Sequence, residues 1–323
     1  MTSRSLPRPP VAPPMRRLRA SWQHGDGLFR LILALAALLV VLLVIGIGLS
    51  LWLNTDLSRE AFGLSFLWTT TWDPVKEIFG ALPFLYGTIL TSFLALLFAI
   101  PLGLGAAIFL AELAPTWIRV PVGLLVELLA AVPSVVFGLW GLYVFVPVVV
   151  KPLGVELNAS LGFLPIFAGP VYGPSRLAAG LLLAIMVLPT ITAITRDVFR
   201  AIPDVQREGS LALGATRWET LWKVLLPYGR SGILGAIILG LSRAVGETIA
   251  VTMVIGNNLD LTASVLHPGY TMASVIANEF AEATTPLYTS ALIEMGLILF
   301  FVTLVVNALA QLLISRVGAT VTA

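Results

Sequence analysis

The chain alternates between long apolar runs and short polar interruptions. The runs cover roughly 28–53, 84–111, 121–150, 177–200, 229–256 and 289–314. The first, Leu28–Leu53, extends about 39 Å at ~1.5 Å per helical residue, more than the ~30 Å hydrocarbon core of a bilayer. The pattern predicts an all-α, polytopic membrane bundle of six transmembrane helices. Pro101, Pro133, Pro147 and Pro189 fall inside the runs, which membrane bundles tolerate where neighbours satisfy the freed carbonyls. Basic residues ahead of an apolar run also suit a cleaved signal peptide. Against that, the run is far longer than a signal-peptide core and no convincing A-x-A site follows it, so it reads as a retained first helix.

One polar stretch between these runs, Pro203–Pro227, carries dense helix punctuation. Asp204 suits an N-cap, opening a short helix to about Leu213. Gly214 stands where a C-cap glycine belongs. Thr216 and Glu219 then form a T-x-x-E capping box that starts a second helix, ended by Pro227. Leu211, Leu213, Trp218, Leu221, Trp222 and Leu225 give the pair an apolar face. Periodicity alone leaves two readings open: an amphipathic elbow on the lipid surface, or a docking knob for a separate protein.

Composition agrees with a membrane protein. Of 323 residues, 58% are hydrophobic and 11% charged, with mean hydropathy +0.97; soluble domains are nearer half apolar and a quarter charged. The chain has no cysteine, which excludes disulfides, thiolate metal sites and a cysteine nucleophile. Residues 1–27, rich in Pro and Arg, read as a disordered basic tail, and 315–323 as a short C-terminal tail. With the N-terminus inside, fourteen Lys and Arg fall on inside segments and four on outside ones. The positive-inside rule then puts both termini and the 203–227 loop in the cytoplasm. It leaves 28–83 as the first helix with an external linker, and 84–314 as the main transmembrane domain. The other outside segments are 151–176 and 257–288. Short surface helices are expected around 66–80 and 270–282, and His267, in His-Pro-Gly, reads as a turn residue.

The fifth run holds a second pattern. Gly232, Ala236, Gly240, Ala244, Thr248, Thr252 and Gly256 recur every four residues, a small-residue stripe that lets another helix come close. Arg243 and Glu247, four apart near the middle of the run, would share one side of a continuous helix. A midplane arginine costs from ~2.5 kcal/mol upward, so it must face a partner or a water-filled cavity. Two readings follow: an Arg243–Glu247 pair that locks the bundle, or part of an anion pathway, for which a guanidinium's paired donors suit phosphate-like oxyanions. Glu127 and Glu294 sit nearer helix ends and read as reaching the interface.

Glu208-Gly209-Ser210, Gly214 and Val224-x-Leu226-Pro227 resemble the EAA loop of ABC importer permeases, E-A-A-x3-G-x9-I-x-L-P. Gly209, Ser210 and Val224 are the departures from that pattern. Leu241–Gly256, Glu127–Tyr143 and Leu188–Pro203 further resemble the C-type (PstC-like) permease of phosphate-specific ABC importers, and the likeness runs from about 84 to 314. What the resemblance implies is a type I importer (MetI-like) permease fold in the bacterial inner membrane. It implies an ATPase-coupling surface at Glu208, Gly209, Ser210, Ala212, Gly214, Ala215, Thr216, Trp218, Leu226 and Pro227. A substrate path would use Arg243 and Glu247 with Ser242 and Thr248. The implied partners are a second permease subunit (PstA-like), a cytoplasmic ATP-binding subunit dimer (PstB-like), an extracytoplasmic phosphate-binding protein (PstS-like) and membrane lipid; no cofactor is implied.

Other function classes fare worse. The chain has no Gly-Lys-Ser/Thr phosphate loop around Lys76, Lys151 or Lys223, so any ATP chemistry belongs to another polypeptide. An intramembrane enzyme would need a nucleophile–base or metal constellation, yet His24 and His267 lie outside the runs. A proton-coupled secondary anion transporter built on Arg243 with Glu247, Glu127 or Glu294 is the better rival, although no second-half broken-helix copy is seen. A nucleic-acid-binding helix-turn-helix at 203–227 is excluded, because both ends enter the membrane within a few residues.

Overall fold

The computed structural model describes residues 26–319. The basic tail expected over 1–27, apart from its last two residues, lies outside them. The chain divides into two compact units, residues 1–53 and 54–323. Described residues of the first form one apolar helix, α1 (Asp26–Leu53). The 54–83 linker belongs with the second unit rather than with the first helix.

The second unit begins with α2 (Asp56–Phe62) and a 3-10 turn, Gly63–Leu67. Then come α3 (Leu82–Ile108), closed by a π-turn at Phe109–Leu113, and α4 (Thr116–Ala130). A near-continuous rod follows: α5 (Ser134–Trp140), a π-stretch Gly141–Val150 and α6 (Lys151–Leu161). After α7 (Arg176–Ala201) and α8 (Asp204–Ala212), a second such rod joins α9 (Arg217–Thr220), a π-turn Leu221–Leu225 and α10 (Leu226–Gly246). The chain ends with α11 (Ile249–Val254), α12 (Met272–Glu279) and α13 (Pro286–Ala319). Two isolated bridges, Asp73 with Ile78 and Gly256 with Gly269, are the only β pairing among the described residues.

Among the described residues six stretches are long and apolar enough to cross a membrane: Gly27–Leu53, Leu82–Leu113, Ser134–Leu161, Arg176–Ala201, Arg217–Gly246 and Pro286–Ile314. The all-α architecture with six spans read from the apolar runs is therefore present, with two spans drawn differently. The expected 121–150 helix is broken at Pro133, which stands between α4 and α5. Proline has no N–H to donate and pushes its predecessor out of the helical region. The second half then runs past 150 to Leu161, shortening the 151–176 segment. The expected 229–256 helix starts earlier and stops at Gly246, where Glu247 turns extended (φ −71°, ψ 125°). Pro227 does not end the second loop helix: Leu226 donates to Leu221 five residues back, and that wider turn carries the chain through the proline into α10. α13 continues to Ala319, into the expected C-terminal tail.

α7 is the central helix. Its buried Ala178, Ala179, Leu182, Leu183, Met186 and Val187 anchor the largest apolar cluster. The small residues of α10 pack on it: a Cβ on Gly232 would fall 2.4 Å from Val198 Cγ2, and one on Gly240 2.7 Å from Val187 Cγ1. The stripe thus works as helix packing as far as Ala244, and the break after Gly246 interrupts its remainder.

At the end away from the 203–227 loop, Phe66, Trp72, Phe79, Phe84, Tyr270 and Tyr288 form a second apolar cluster. The expected helix around 66–80 lies earlier, over α2 and its 3-10 turn, while α12 falls inside the expected 270–282. Glu279 of α12 accepts from Trp72 Nε1 (2.7 Å) and from the Tyr288 hydroxyl (2.6 Å). Arg176, buried at the start of α7, donates to the carbonyls of Asp260, Thr262 and Ser264 and to Thr262 Oγ1. Glu294 does not reach outward; it is buried (7% exposed) in α13. Replacing Gly240 by Leu forces its side chain into Val187 and Ile191, and overpacking of this kind costs about 1–3 kcal/mol. The check is a lowered thermal midpoint of the detergent-solubilised protein, beside an unchanged Gly209→Ala control whose Cβ meets nothing within 4 Å.

Candidate functional site

The 203–227 segment folds as the helix pair its punctuation predicts. Asp204 differs from expectation: it is the first helical residue, behind Pro203, and no side chain caps the helix. Its carboxylate accepts instead from Arg207 Nη1 (3.2 Å). Gly214 adopts φ +86°, the left-handed conformation that ends α8 without a Cβ penalty. Gly214 N–H donates to Leu211 O and Ala215 N–H to Ser210 O, satisfying carbonyls of the last turn. Thr216 and Glu219 complete the capping box in both directions, and Lys223 pairs with Glu219 at 3.1 Å.

This pair leaves much of its apolar face in the open. Val205, Leu211, Leu213 (91% exposed), Trp218 and Trp222 all stand exposed, the two indoles edge-to-face at 5.4 Å. Glu208, Gly209, Ala212, Gly214, Thr216, Trp218 and Pro227 are exposed, while Ser210, Ala215 and Leu226 are half-buried. Ser210, where the loop pattern has alanine, bonds the Thr220 hydroxyl at 3.0 Å and so ties α8 to α9. Beneath the pair lies a cavity of about 470 Å³, lined by Glu112, Arg207, Arg217, Trp218, Leu221 and Leu225 among others.

Arg207 holds the pair to the bundle. Nε and Nη2 reach the two carboxylate oxygens of Glu112 (3.2 and 2.7 Å), in the π-turn that closes α3. Nη1 and Nη2 also donate to Ile202 O and Phe199 O, each 2.6 Å away, at the end of α7. The Glu112 hydrogen bonds hold the Arg207 guanidinium above its already high ordinary value. Nearby, Arg196 on α7 is buried and pairs with Glu127 of α4 (2.9 Å) and with Asp197 (3.1 Å). Glu127 is thus a cross-helix partner, not a group that merely reaches the interface. Sequence reading counted Arg196 and Arg207 only as inside charge; their carboxylate partners Glu127 and Glu112 stand 69 and 95 positions away.

The four residues expected along a substrate path do not converge on one point. Arg243, in the last turn of α10, donates from Nη1 to Thr190 Oγ1 on α7 (3.3 Å). Ser242 bonds Ile238 O and Asn307 of α13. Glu247, beyond the helix break, accepts from Ala250 N–H (3.3 Å), and Thr248 Oγ1 donates to Gly246 O (3.3 Å). The Arg243–Glu247 lock is not formed: ion pairs among the described residues involve Arg196, Arg207, Lys76 and Lys223, and not Arg243. Thr190 and Asn307 were missed because neither polar residue carries a local motif.

A membrane bundle with an exposed, capped helix pair at one end fits a class of transport subunit, and the comparisons agree. A family model described as binding-protein-dependent transport system inner membrane component matches residues 99–319. Among solved structures, a permease chain of a bacterial alginate ABC transporter superposes with TM-score 0.60 at 16% identity, covering 94% of this chain and 98% of that one. One from the MetNI methionine ABC transporter gives 0.52 at 17% identity, with 72% and 93% covered. At such identity they show the fold alone, that of the ABC importer permeases. Sequence relatives are nearer. The phosphate transport system permease protein PstC of Pasteurella multocida is 48% identical over 294 residues, covering 90% of this chain and 92% of that protein. The PstC of Xylella fastidiosa strain Temecula1 is 43% identical over 98% of both chains. A probable PstC of Methanocaldococcus jannaschii is 38% identical, with 88% and 92% covered. The chain belongs to the PstC family of ABC transporter permeases.

Opening the capping box with Thr216→Ala removes the acceptor for the Glu219 N–H, and loss of such a cap costs about 0.5–2 kcal/mol. Hydrogen exchange followed by mass spectrometry should quicken at amides 217–220, with little change in α7.

Proposed function

We propose that this chain is the permease subunit of an ATP-driven importer of inorganic phosphate, forming half of the transmembrane path. It docks a cytoplasmic ATP-binding dimer (PstB-like) through residues 203–227, pairs with a second permease subunit (PstA-like), and receives phosphate from an extracytoplasmic binding protein (PstS-like). Both termini lie in the cytoplasm. The observation that carries this reading is the helix pair α8–α9: rigidly capped, anchored from beneath by Arg207, and exposing large apolar side chains that no described part of the chain covers. An exposed patch of this kind marks an interaction surface. Its EAA-type spacing and the relatives' phosphate transport support this partner and this cargo.

On the path, Arg243 is the residue we assign to the anion. Its guanidinium meets a neutral hydroxyl and no carboxylate among the described residues, so its charge is left for a ligand. Glu247 and Thr248, on the unwound backbone that follows, and Ser242, held by Asn307, are the further polar groups we place along the path. Unwound backbone inside a bundle is tolerated where it lines a cavity. Closure of the ATP-binding dimer then biases the bundle between outward and inward access.

The test is uptake of radiolabelled phosphate at low external concentration in cells lacking this chain, complemented with wild type or Arg243→Gln. ATP-dependent uptake should return with wild type and stay absent with the membrane-inserted variant. Phosphate uptake that persists after ATP depletion would point to the proton-coupled alternative, and sulfate uptake in its place would remove the substrate assignment. A separate arm addresses docking. Gly214→Val puts a β-branched side chain at φ +86°, so the ATP-binding subunit should no longer co-purify although the chain still inserts.

A further inference from the structure

The Arg207 guanidinium uses every donor it has, and its acceptors belong to three separate elements. Of the five N–H groups of an arginine, Nε and one Nη2 hydrogen go to Glu112, the other Nη2 hydrogen to Phe199 O, and the Nη1 pair to Ile202 O and Asp204. Glu112 ends α3, Phe199 and Ile202 end α7, and Arg207 and Asp204 stand on α8. Both side chains of the Arg207–Glu112 pair are largely shielded, with 19% and 18% exposed. The two helices joined in this way are also packed closely on each other: a Cβ on Gly180 of α7 would lie 2.6 Å from Leu94 Cβ of α3, and one on Gly103 of α3 3.0 Å from Ile191 of α7.

We infer that Arg207 is the positioning residue that turns displacement of the docking helix into displacement of α3 and α7. α8 itself buries no side chain, so apolar packing does not transmit its motion. The short, charge-assisted, two-pronged bond to Glu112 does so on one side, and the bonds to two carbonyls at the end of α7 do so on the other. A lysine keeps the charge but has three donors on one nitrogen and no fork, so it cannot replace the four bonds to Glu112 and the two α7 carbonyls. The bonds also complement the carbonyl end of α7, where a cation is favoured by the helix dipole. Arg207 lies inward of the exposed docking face, so coupling and docking are separable.

This inference rests on the docking reading of residues 203–227, and the experiment keeps the two apart. The complete importer, assembled with its ATP-binding and partner permease subunits, is reconstituted in proteoliposomes as wild type, Arg207→Lys and Glu112→Gln. Three quantities are read: retention of the ATP-binding subunit, ATP hydrolysis, and inward transport of inorganic phosphate. Arg207→Lys should retain the ATP-binding subunit and hydrolyse ATP within about twofold of wild type, while phosphate moved per ATP falls about tenfold, within the range of coupling between distant sites. Glu112→Gln keeps the shape and leaves the bonds to α7, so it should show the same uncoupling to a smaller degree. An unchanged ratio of phosphate to ATP in both variants would overturn the assignment. So would loss of the ATP-binding subunit from Arg207→Lys, since Arg207 would then be shaping the docking helix instead of transmitting its motion. Failure of the docking reading shows differently: the ATP-binding subunit would stay bound when Leu213 on the exposed face is changed to Glu.

Discussion

Inside an apolar bundle each backbone carbonyl that loses its helical partner has to find another, and much of this structure follows from that constraint. The π-turn at Phe109–Leu113 ends just before Pro115, the stretch Gly141–Val150 contains Pro147, and the turn at Leu221–Leu225 ends just before Pro227. The last two shift the ladder to a wider repeat near a residue that cannot donate, so the rod continues instead of kinking open, whereas the first closes α3 and Ala114 turns extended. Where the ladder does break, side chains step in. Glu247 accepts from Ala250 N–H after α10, and the Arg207 guanidinium takes the free carbonyls at the end of α7.

The same accounting sorts the arginines within unit two. Arg176 satisfies its charge with neutral acceptors of the 260–264 loop, stapling that loop to the start of α7. Arg196 and Arg207 take carboxylates from α4 and α3 and so tie the far ends of the helices together. Arg243 alone of these four is bonded only to a threonine hydroxyl among the described residues. Two of the four are paired with carboxylates, Arg176 is enclosed by loop carbonyls and a hydroxyl, and Arg243 has the fewest partners among the described residues, beside an unwound segment. That sparse bonding is what supports the proposal that Arg243 meets the anion.

Much of this was legible in the sequence. Apolar run length gave six spans because the hydrocarbon thickness sets it directly. The capping box at Thr216 and Glu219 and the left-handed Gly214 were legible because capping is decided within four residues. The small-residue stripe correctly announced the close approach of α10 to α7, since only tiny side chains permit it. Where the reading failed, the information was not local. Pro133 and Pro227 look alike as prolines in apolar surroundings, yet one breaks its rod and the other rides a π-turn through it. The carboxylates of Glu127 and Glu112 gain their meaning from arginines far along the chain, and Glu294 is buried by packing that its own helix does not announce. The departure from alanine at Ser210 had no visible purpose until Thr220 came within 3.0 Å.

The Glu279 carboxylate carries a final consequence. It bonds Trp72 from the segment before α3 and Tyr288 from the start of α13, while the aromatic rings around it interlock edge to face and in stacks. Three stretches distant in sequence are thereby fused into one cooperative block. Releasing any one of them would leave a half-buried carboxylate short of a donor and open the ring packing around it. The covering at this end of the bundle is therefore held as one piece, each of its three segments braced by the other two.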